Sequence, residues 1–334
     1  MHPLPLIDDA LFIDNSSLER FTTCPRSAQY YICNKRESSD ERIALSFGKA
    51  IHKILEARYK HNPNVVTKIP GVTSVSTEEL MLSAAKDAFA TWSDENPEEF
   101  RNFSTAVTFI EKYNTHYPME GFEILQLPSG GPAIEVPFAV PLGALQIDGD
   151  LAVRSPDGTV AVRHFDTLKI VWTGRIDLII IKRGDSIFLV DHKTTSMMGP
   201  QYFKEFDLSS QVYGYLWAAS RLLGKPIAGF LVNAMAFRKP TPKGKPYEFQ
   251  RYPVPADDGL VAEWAVDTMH IVSDFVEMAK RGYMPKHTKW CVGKYGLCPY
   301  VPICGLPPSQ SRELLLMSGN YKTVQWNPLD NTSP

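Results

Sequence analysis

The chain has 334 residues, of which 44% are hydrophobic and 22% are charged, and its formal net charge is -2 at pH 7. This length and composition are ordinary for a globular protein with one large core or two small ones. The balance of charge excludes a chain that is basic throughout, so any surface for nucleic acid must be a local patch. Its longest apolar runs are far shorter than the ~20 residues of a membrane-spanning helix. The N-terminus lacks the basic and apolar regions of a signal peptide, so we expect no signal peptide.

The first predicted helix lies near the N-terminus. Ser16 and Glu19 have the spacing of a capping box, which predicts a helix start. Pro25 cannot continue a helix, so the helix should end at Cys24. Taken alone, this segment fits a surface helix with a half-buried thiol.

A second helix is predicted over residues 47–56. Gly48 and His52 are one turn apart on it, so the glycine lets another group approach the imidazole closely. A histidine beside an apolar helix face is commonly a packed or surface residue, and a metal ligand is the alternative.

Residues 60–125 form a predicted helical insertion. A polar loop with prolines spans 62–76, and a capping box at 76–79 starts an amphipathic helix that runs to about Trp92. A second helix spans about 97–117. No residue pattern here indicates chemistry, so we expect the insertion to shape a channel or a partner surface.

Residues 126–256 form the predicted sheet core. Its strand at 133–140 carries Glu135 as its only charge, which fits an edge-strand charge as well as a metal ligand. A strand follows at 145–154, in which the residues 148–150 predict a turn. A clear turn at Ser155-Pro156-Asp157-Gly158 and a further strand to about Arg163 come next.

The hairpin predicted over residues 174–193 reads GRIDLIIIKRGDSIFLVDHK. Its two apolar strands are joined by a turn at 183–185. Asp177 lies on the first strand, and Asp191 and Lys193 share a face of the second by the period of two. Charges are rarely buried unless they are paired or bind metal, so two such acids require a cation between them. The lysine would then lie where an anionic substrate meets that cation.

The helix predicted over 208–223 carries Gln211 and Tyr215 one turn apart on one face. By itself this pair fits a solvated glutamine and a packing tyrosine. The remaining predicted elements are the strands 227–237 and 247–254 and the helix 260–281.

Three of the five cysteines, Cys291, Cys298 and Cys304, lie in a segment rich in glycine and proline. Such a segment has little regular structure and needs a clamp. With Cys24 they make four thiols, the number that holds an iron–sulfur cluster or a structural zinc. Their gaps differ from the short pairs typical of zinc, so we favour the cluster, with zinc and no metal as alternatives. Cys33 is left over and should pack as a small hydrophobe, and disulfides are not expected.

The ordered set of motifs resembles a known family. Asp177 with Asp191-His192-Lys193 resembles the D…(D/E)xK signature of the PD-(D/E)XK nucleases, and GRID…VDHKT resembles their RecB/AddB-like branch. The G-x-x-x-H at 48–52 and the Q-x-x-x-Y at 211–215 resemble the first and last motifs of that branch. One early and three late cysteines resemble the four-cysteine iron–sulfur arrangement of CRISPR-associated RecB-like exonucleases and related phage nucleases.

The resemblance implies an α/β restriction-endonuclease-like core, with a mixed sheet flanked by helices, in a single nuclease domain over 1–334. It implies an iron–sulfur clamp that joins N- and C-terminal segments. The implied parts are the helical insertion 60–125, the catalytic sheet core 126–256 with the helix 208–223, the iron–sulfur segment 16–33 plus 285–306, and the C-terminal tail 307–334.

The resemblance also implies roles for single residues. The ligands of Mg²⁺ or Mn²⁺ would be His52, Asp177, Asp191 and the backbone carbonyl of His192, with Glu135 as a further candidate. A histidine ligand favours Mn²⁺, because imidazole is softer than carboxylate. Lys193 would position the attacking water or stabilise developing charge, and Gln211 and Tyr215 would orient the lysine and contact the DNA strand. The ligands of a 4Fe-4S cluster would be Cys24, Cys291, Cys298 and Cys304.

The implied function is that of a metal-dependent DNA exonuclease on single strands or duplex ends, in recombination, repair or CRISPR-type DNA processing. A helicase, recombinase or integrase-type protein is the expected partner, and the expected compartment is the cytoplasm of a bacterial or phage-infected cell, without a membrane. Two alternatives remain. One is a catalytically silent DNA-binding subunit of a larger nuclease/helicase complex, and the other is a metal-dependent enzyme on another phosphate substrate.

Overall fold

The structure is a computed structural model that describes residues 1–40, 43–60, 76–90, 92, 100–128, 130–182, 184–242, 244–293 and 296–324. Most of the predicted loop at 62–76, the predicted helix start at 97, Arg183 and the tail from residue 325 lie outside the described residues. Across the described ranges, no helix is both long and apolar enough to cross a membrane.

The helices and strands of the described residues follow one another in mixed order, as an α/β fold requires. They are β1 Leu4–Ile7, β2 Ala10–Ile13, α1 Asn15–Thr23, α2 Pro25–Ala28, a π-helical turn Gln29–Cys33, β3 Arg36–Ser38, α3 Ile43–Lys60, α4 Thr77–Phe89, α5 Phe103–His116, β4 Glu123–Ile124, β5 Ile134–Arg154, β6 Val160–Lys182, β7 Ser186–Thr195, α6 Pro200–Lys204, α7 Ser210–Leu223, β8 Gly229–Phe237, β9 Tyr247–Pro255, α8 Asp258–Arg281, a 3₁₀ turn Thr288–Trp290, β10 Val292–Gly293, β11 Gly296–Leu297, α9 Val301–Gly305, α10 Gln310–Leu316 and β12 Tyr321–Thr323.

The chain divides into two compact units. The first unit consists of Met1–Glu41, Pro137–Gly174 and Asp258–Pro334, and the second unit consists of Arg42–Val136 and Arg175–Asp257. The long strands β5 and β6 contribute residues to both units. Residues 137–174, which the sequence assigned to the catalytic sheet core, therefore group with the chain termini.

In the first unit, β1 pairs antiparallel with β2 and parallel with β5, and β2 pairs parallel with β6. Helices α1 and α8 pack through the stacked rings of Phe21 and Phe275, whose centroids are 3.9 Å apart. This unit also contains two short strand pairs, β3 with β12 and β10 with β11.

Two sequence predictions in the first unit were wrong. Asp14, not Ser16, caps α1, and its carboxylate accepts the Ser17 N–H at 2.7 Å; aspartate is among the residues preferred at this position. The turn predicted at 148–150 is not formed, and β5 is one continuous strand through this point. Asp148 has a φ of +41°, and a strand accommodates one such left-handed residue in the way that a β-bulge does.

The second unit holds a mixed sheet flanked by helices, as the sequence predicted. Strand β7 pairs antiparallel with β6 and parallel with β8, and β8 pairs antiparallel with β9. All nine residues of β8 are buried, which identifies it as a central strand. Apolar side chains of α3, α4 and α5 form one core with Leu178, Ile180, Val190 and Leu231 of the sheet.

The predicted helices of the second unit are largely confirmed. Ser76 and Glu79 form the predicted capping box, and α4 ends at Phe89 rather than at Trp92. Helix α7 begins at Ser210, two residues later than predicted, and the short helix α6 was not predicted. Pro200 ends the preceding irregular segment and starts α6, because its fixed φ suits the first turn of a helix.

Candidate active site

The β6–β7 hairpin brings its two acids together. Its register pairs Leu178 with Val190, so the next position places Asp177 opposite Asp191. Gly184 and Asp185 have φ angles of +78° and +57°, the left-handed values that a tight hairpin turn requires. Both carboxylates are buried, with 7% and 4% of these residues exposed.

His52 and Glu135 lie beside Asp177. Each of these three side chains offers one ligand atom, and the three atoms all lie within 4.8 Å of one another. His52 Nδ1 is 3.5 Å from Asp177 Oδ2. Asp191 does not belong to this group, which is the one group of its kind that the described residues form.

Helix α3 can bring His52 to the sheet because Gly48 lacks a side chain. A Cβ at Gly48 would lie 3.1 Å from Oγ1 of Thr194, at the end of β7. The sequence predicted that this glycine lets another backbone or DNA approach the imidazole of His52, whereas the group that lies against Gly48 in the structure is this threonine side chain.

The electrostatics of the group follow from burial and from the Asp177 charge. Burial disfavours ionised Asp177, but His52 and the His192 N–H, which donates at 2.6 Å, hold its pKa below the usual range. Burial opposes protonation of His52, but the Asp177 carboxylate outweighs it and raises the pKa to about 9. Burial, together with Asp177, raises the pKa of Glu135 to about 7. These pKa shifts favour the protonated forms of His52 and Glu135. Without a cation, the group of His52, Glu135 and Asp177 therefore carries less negative charge than the same three side chains would carry in water.

Glu135 is held in a strained backbone conformation. Its φ is +50°, in the left-handed region, where a residue with a Cβ costs roughly 1–2 kcal/mol. Its carboxylate is 3.7 Å from Arg175 Nη1. Strained residues of this kind cluster at functional sites.

Asp191, Lys193 and Gln211 form a second cluster. Lys193 Nζ lies 2.7 Å from Asp191 Oδ2 and donates to Gln211 Oε1 at 2.9 Å, and Gln211 Nε2 donates to Asp191 Oδ1 at 2.9 Å. The buried Oδ2 of Asp191 is therefore neutralised by the Lys193 ammonium group. Burial, with the Asp177 charge, raises the pKa of Asp191 although Lys193 opposes it. Tyr215 is buried, with its ring 6.4 Å from that of Phe230.

A family model described as the PD-(D/E)XK nuclease superfamily matches residues 15–305. The chain belongs to this superfamily. Its acids and lysine at 177, 191 and 193 lie within the matched residues, and the resemblance found in the sequence is confirmed at the level of the superfamily.

Two solved structures are similar to this nuclease at 12% sequence identity. One is a candidate exonuclease from Eubacterium rectale, with 92% of this chain and 93% of that chain covered and a TM-score of 0.44. The other is an alkaline exonuclease from Laribacter hongkongensis, with 70% of this chain and 91% of that chain covered and a TM-score of 0.25. No curated protein sequence matches the chain.

The nuclease also has a buried polar network that the sequence analysis missed. His192 Nδ1 faces Asn233 Nδ2 at 2.8 Å, and Asn233 Nδ2 also donates to the Tyr113 hydroxyl at 2.8 Å. Arg251 contacts Asn233, Tyr113 and the buried Glu120. The sequence carried one signal of this network, because Asn233 interrupts the otherwise apolar strand GFLVNAMAF.

The four cysteines assigned to a cluster all belong to the first unit of the nuclease and are half-buried, whereas Cys33 is fully buried as predicted. The His287 N–H donates to Cys24 Sγ at 3.5 Å, and the Cys298 N–H donates to the Cys291 carbonyl at 2.8 Å. Burial raises the pKa of Cys298, and the charges of Cys24 and Cys291 raise it further. Cys24 therefore lies beside the late cysteine segment, although no three of these sulfur atoms form a group within 4.8 Å in the described residues.

Proposed function

We propose that this nuclease is a metal-dependent DNA exonuclease that hydrolyses phosphodiester bonds at single-stranded or duplex ends. The observation that carries the proposal is the convergence of His52, Glu135 and Asp177 beside the Asp191–Lys193 pair. A cation-binding group next to a lysine is what an anionic phosphodiester requires.

The residues fit a divalent cation. Carboxylate and imidazole ligands suit Mg²⁺ and Mn²⁺, and the histidine favours Mn²⁺. The ligand atoms of His52, Glu135 and Asp177, which all lie within 4.8 Å of one another, are of the oxygen and nitrogen types that such a cation takes. We propose His52, Asp177, Asp191 and the His192 carbonyl as ligands, with Glu135 as a further one.

A bound Mg²⁺ or Mn²⁺ would polarise the scissile phosphate and supply an activated water. Lys193 can hold its ammonium group against the phosphate and stabilise the charge that develops there. Gln211 holds Lys193 by accepting a hydrogen bond from Nζ, which restricts the rotamers of a long side chain. We propose that Tyr215 contributes to the orientation of this helix and to DNA contact.

We further propose a 4Fe-4S cluster held by Cys24, Cys291, Cys298 and Cys304. Tetrahedral zinc with bonds of about 2.3 Å would bring its sulfur ligands to about 4 Å from one another. A cluster of four irons is larger and takes a wider set of thiolates. Burial raises the pKa of both Cys298 and Cys304; the opposing contributions of Arg20 to Cys298 and of Arg26 to Cys304 place a cation near each thiol. The cluster would clamp the glycine- and proline-rich segment to the start of the chain.

The RecB-like subtype, a role in recombination, repair or CRISPR-type processing, and a helicase, recombinase or integrase-type partner follow from the sequence resemblance alone. We propose them on that basis.

The test of the nuclease activity is digestion of end-labelled single- and double-stranded DNA with Mg²⁺, Mn²⁺ or EDTA. We expect shortening from the ends with either metal, and none with EDTA. Lys193→Ala should abolish cleavage and leave the circular dichroism spectrum unchanged, whereas the exposed Lys53→Ala should cleave normally. Cleavage by folded Lys193→Ala at the wild-type rate would refute the assignment. DNA binding without cleavage by the wild type would favour the silent subunit.

The test of the cluster is metal analysis of anaerobically purified protein. We expect iron and a brown colour, with an absorbance shoulder near ~400 nm that is typical of thiolate-bound iron–sulfur centres. Cys24→Ser should lose the colour, the iron and thermal stability together, whereas Cys33→Ser should keep the iron. Stoichiometric zinc without iron would replace the cluster by a zinc clamp, and the absence of both metals would refute the clamp.

A further inference from the structure

His192 lies in contact with two of the groups proposed to bind the metal. Its backbone N–H donates to Asp177 Oδ2 at 2.6 Å. Its ring packs edge-on against the ring of His52, with centroids 5.8 Å apart and an interplanar angle of 75°. The His192 ring also lies parallel to the ring of Tyr59, and the centroids of these two rings are 5.6 Å apart. The place of the His192 ring therefore limits where His52 can lie.

Asn233 is the side chain that holds this ring by hydrogen bonding. It is the register partner of His192 on the adjacent parallel strand β8, and it is fully buried. Its amide nitrogen lies 2.8 Å from His192 Nδ1 and 2.8 Å from the Tyr113 hydroxyl. An amide nitrogen only donates, so His192 Nδ1 must accept, and the ring proton lies on Nε2.

Arg251 decides which way the Asn233 amide faces. Its Nε donates to Asn233 Oδ1 at 3.4 Å, and a guanidinium has no acceptor atom. The carbonyl end of the amide must therefore face Arg251, which leaves the NH₂ end for His192. Arg251 is held in turn by the buried carboxylate of Glu120, which also pairs with Arg58 Nη2 at 2.9 Å.

We propose that Asn233 is a positioning residue of this nuclease, which fixes the tautomer and ring orientation of His192 and thereby the places of His52 and Asp177. The chain of contacts runs from Glu120 through Arg251 and Asn233 to His192, and all of its members lie in the second unit. Glu120, Arg251 and Asn233 are not themselves proposed to touch the metal or the DNA. The part of the proposal that concerns metal binding rests on the proposed function, whereas the part that concerns His192 does not.

The first measurement is the tautomer of His192 in metal-free protein, by ¹⁵N NMR of histidine-labelled samples. We expect the Nε2–H form in the wild type. Asn233→Asp puts an acceptor in place of the NH₂ donor, so the proton should move to Nδ1 in this variant. A wild type with the proton on Nδ1, or the same tautomer in both proteins, would overturn the proposal whatever the enzyme does.

The second measurement is the dissociation constant of Mn²⁺, by isothermal titration calorimetry. Asn233→Leu keeps the volume but loses the hydrogen bonds, and we expect a 10- to 100-fold weaker affinity, as for groups that orient metal ligands in other proteins. The matched control is Thr268→Val, which exchanges a buried polar residue of the first unit and should leave the affinity unchanged. Wild-type affinity in folded Asn233→Leu would overturn the link to the metal site.

The two failures can be told apart. If the wild type neither binds Mn²⁺ nor cleaves DNA, the proposed function is refuted, and so is the part of the inference that concerns the metal. The NMR comparison still decides whether Asn233 positions His192. If Asn233→Leu does not fold, the Mn²⁺ affinity of Arg251→Met replaces it. That variant leaves Asn233 in place but frees its amide to turn, and we expect an affinity at least threefold weaker than in the wild type, whereas an unchanged affinity would overturn the link.

Discussion

The buried ion pairs of Glu120 make a strong prediction about stability. The Glu120 side chain is 3% exposed and pairs with Arg58, which is 9% exposed, and with Arg251, which is 16% exposed. Glu120→Gln keeps the size of the side chain but removes its charge and replaces one of the two oxygens that accept from Arg58 and Arg251 by an NH₂ donor. Two guanidinium groups then remain in the interior without a neutralising partner, so the folded state should lose much of its stability.

The size of the loss can be estimated from the geometry. At a charge separation of about 4 Å and an effective dielectric constant of about 20, one ion pair contributes roughly 4 kcal/mol. Two such pairs set an upper bound of about 8 kcal/mol, which relaxation and water reduce. Breaking a buried pair by removing one partner commonly costs about 3–5 kcal/mol, and we expect this value for Glu120→Gln.

The assay is urea unfolding at 25 °C, followed by far-UV circular dichroism. Glu248→Gln is the control, because its pair with Arg238 is more exposed and should contribute less than about 1 kcal/mol. The triple variant Arg58→Met, Glu120→Leu, Arg251→Met replaces the whole set of paired charges. It should recover at least half of the stability lost in Glu120→Gln, since no buried charge is then left alone. A loss below about 1 kcal/mol in Glu120→Gln would refute the reasoning.

Three further predictions concern the groups around the proposed metal. Glu135→Gly should relieve the left-handed strain and raise the free energy of unfolding by about 1 kcal/mol, but it should also weaken Mn²⁺ binding. Asp148→Gly, which is also at positive φ, should stabilise the fold and leave Mn²⁺ binding unchanged, and calorimetry measures both effects. His52→Ala should raise the Mn²⁺ concentration needed for half-maximal cleavage, and an unchanged titration would make it a packing residue. Gly48→Ala should stabilise the fold by about 0.5–1 kcal/mol only when Thr194→Ala is also present, because the added Cβ meets Thr194 Oγ1. Equal unfolding midpoints for Gly48→Ala and for Gly48→Ala with Thr194→Ala would contradict this.

The sequence by itself determined the elements that carry a local pattern. Two apolar runs joined by a turn signal predicted the hairpin of Asp177 and Asp191, and the capping box at Ser76 predicted the start of α4. These features depend on neighbours within a few residues, so the period of the side chains is sufficient to find them. The same local logic failed at 148–150, where two aspartates and a glycine are typical of a turn but lie within a long strand.

Only the tertiary structure decided which distant residues meet. His52 and Glu135 are separated by more than eighty residues along the chain, yet their ligand atoms lie within 4.8 Å of each other and of Asp177. The pairing of Asn233 with His192 depends on the register of β8 against β7, and a shift by one residue would turn that side chain to the other face. Local propensity carries no information about the register of strands joined by a helix, because that register is set by the burial of the whole sheet. For this reason the sequence could name the acids and the lysine, whereas the network behind them became visible only in the folded chain.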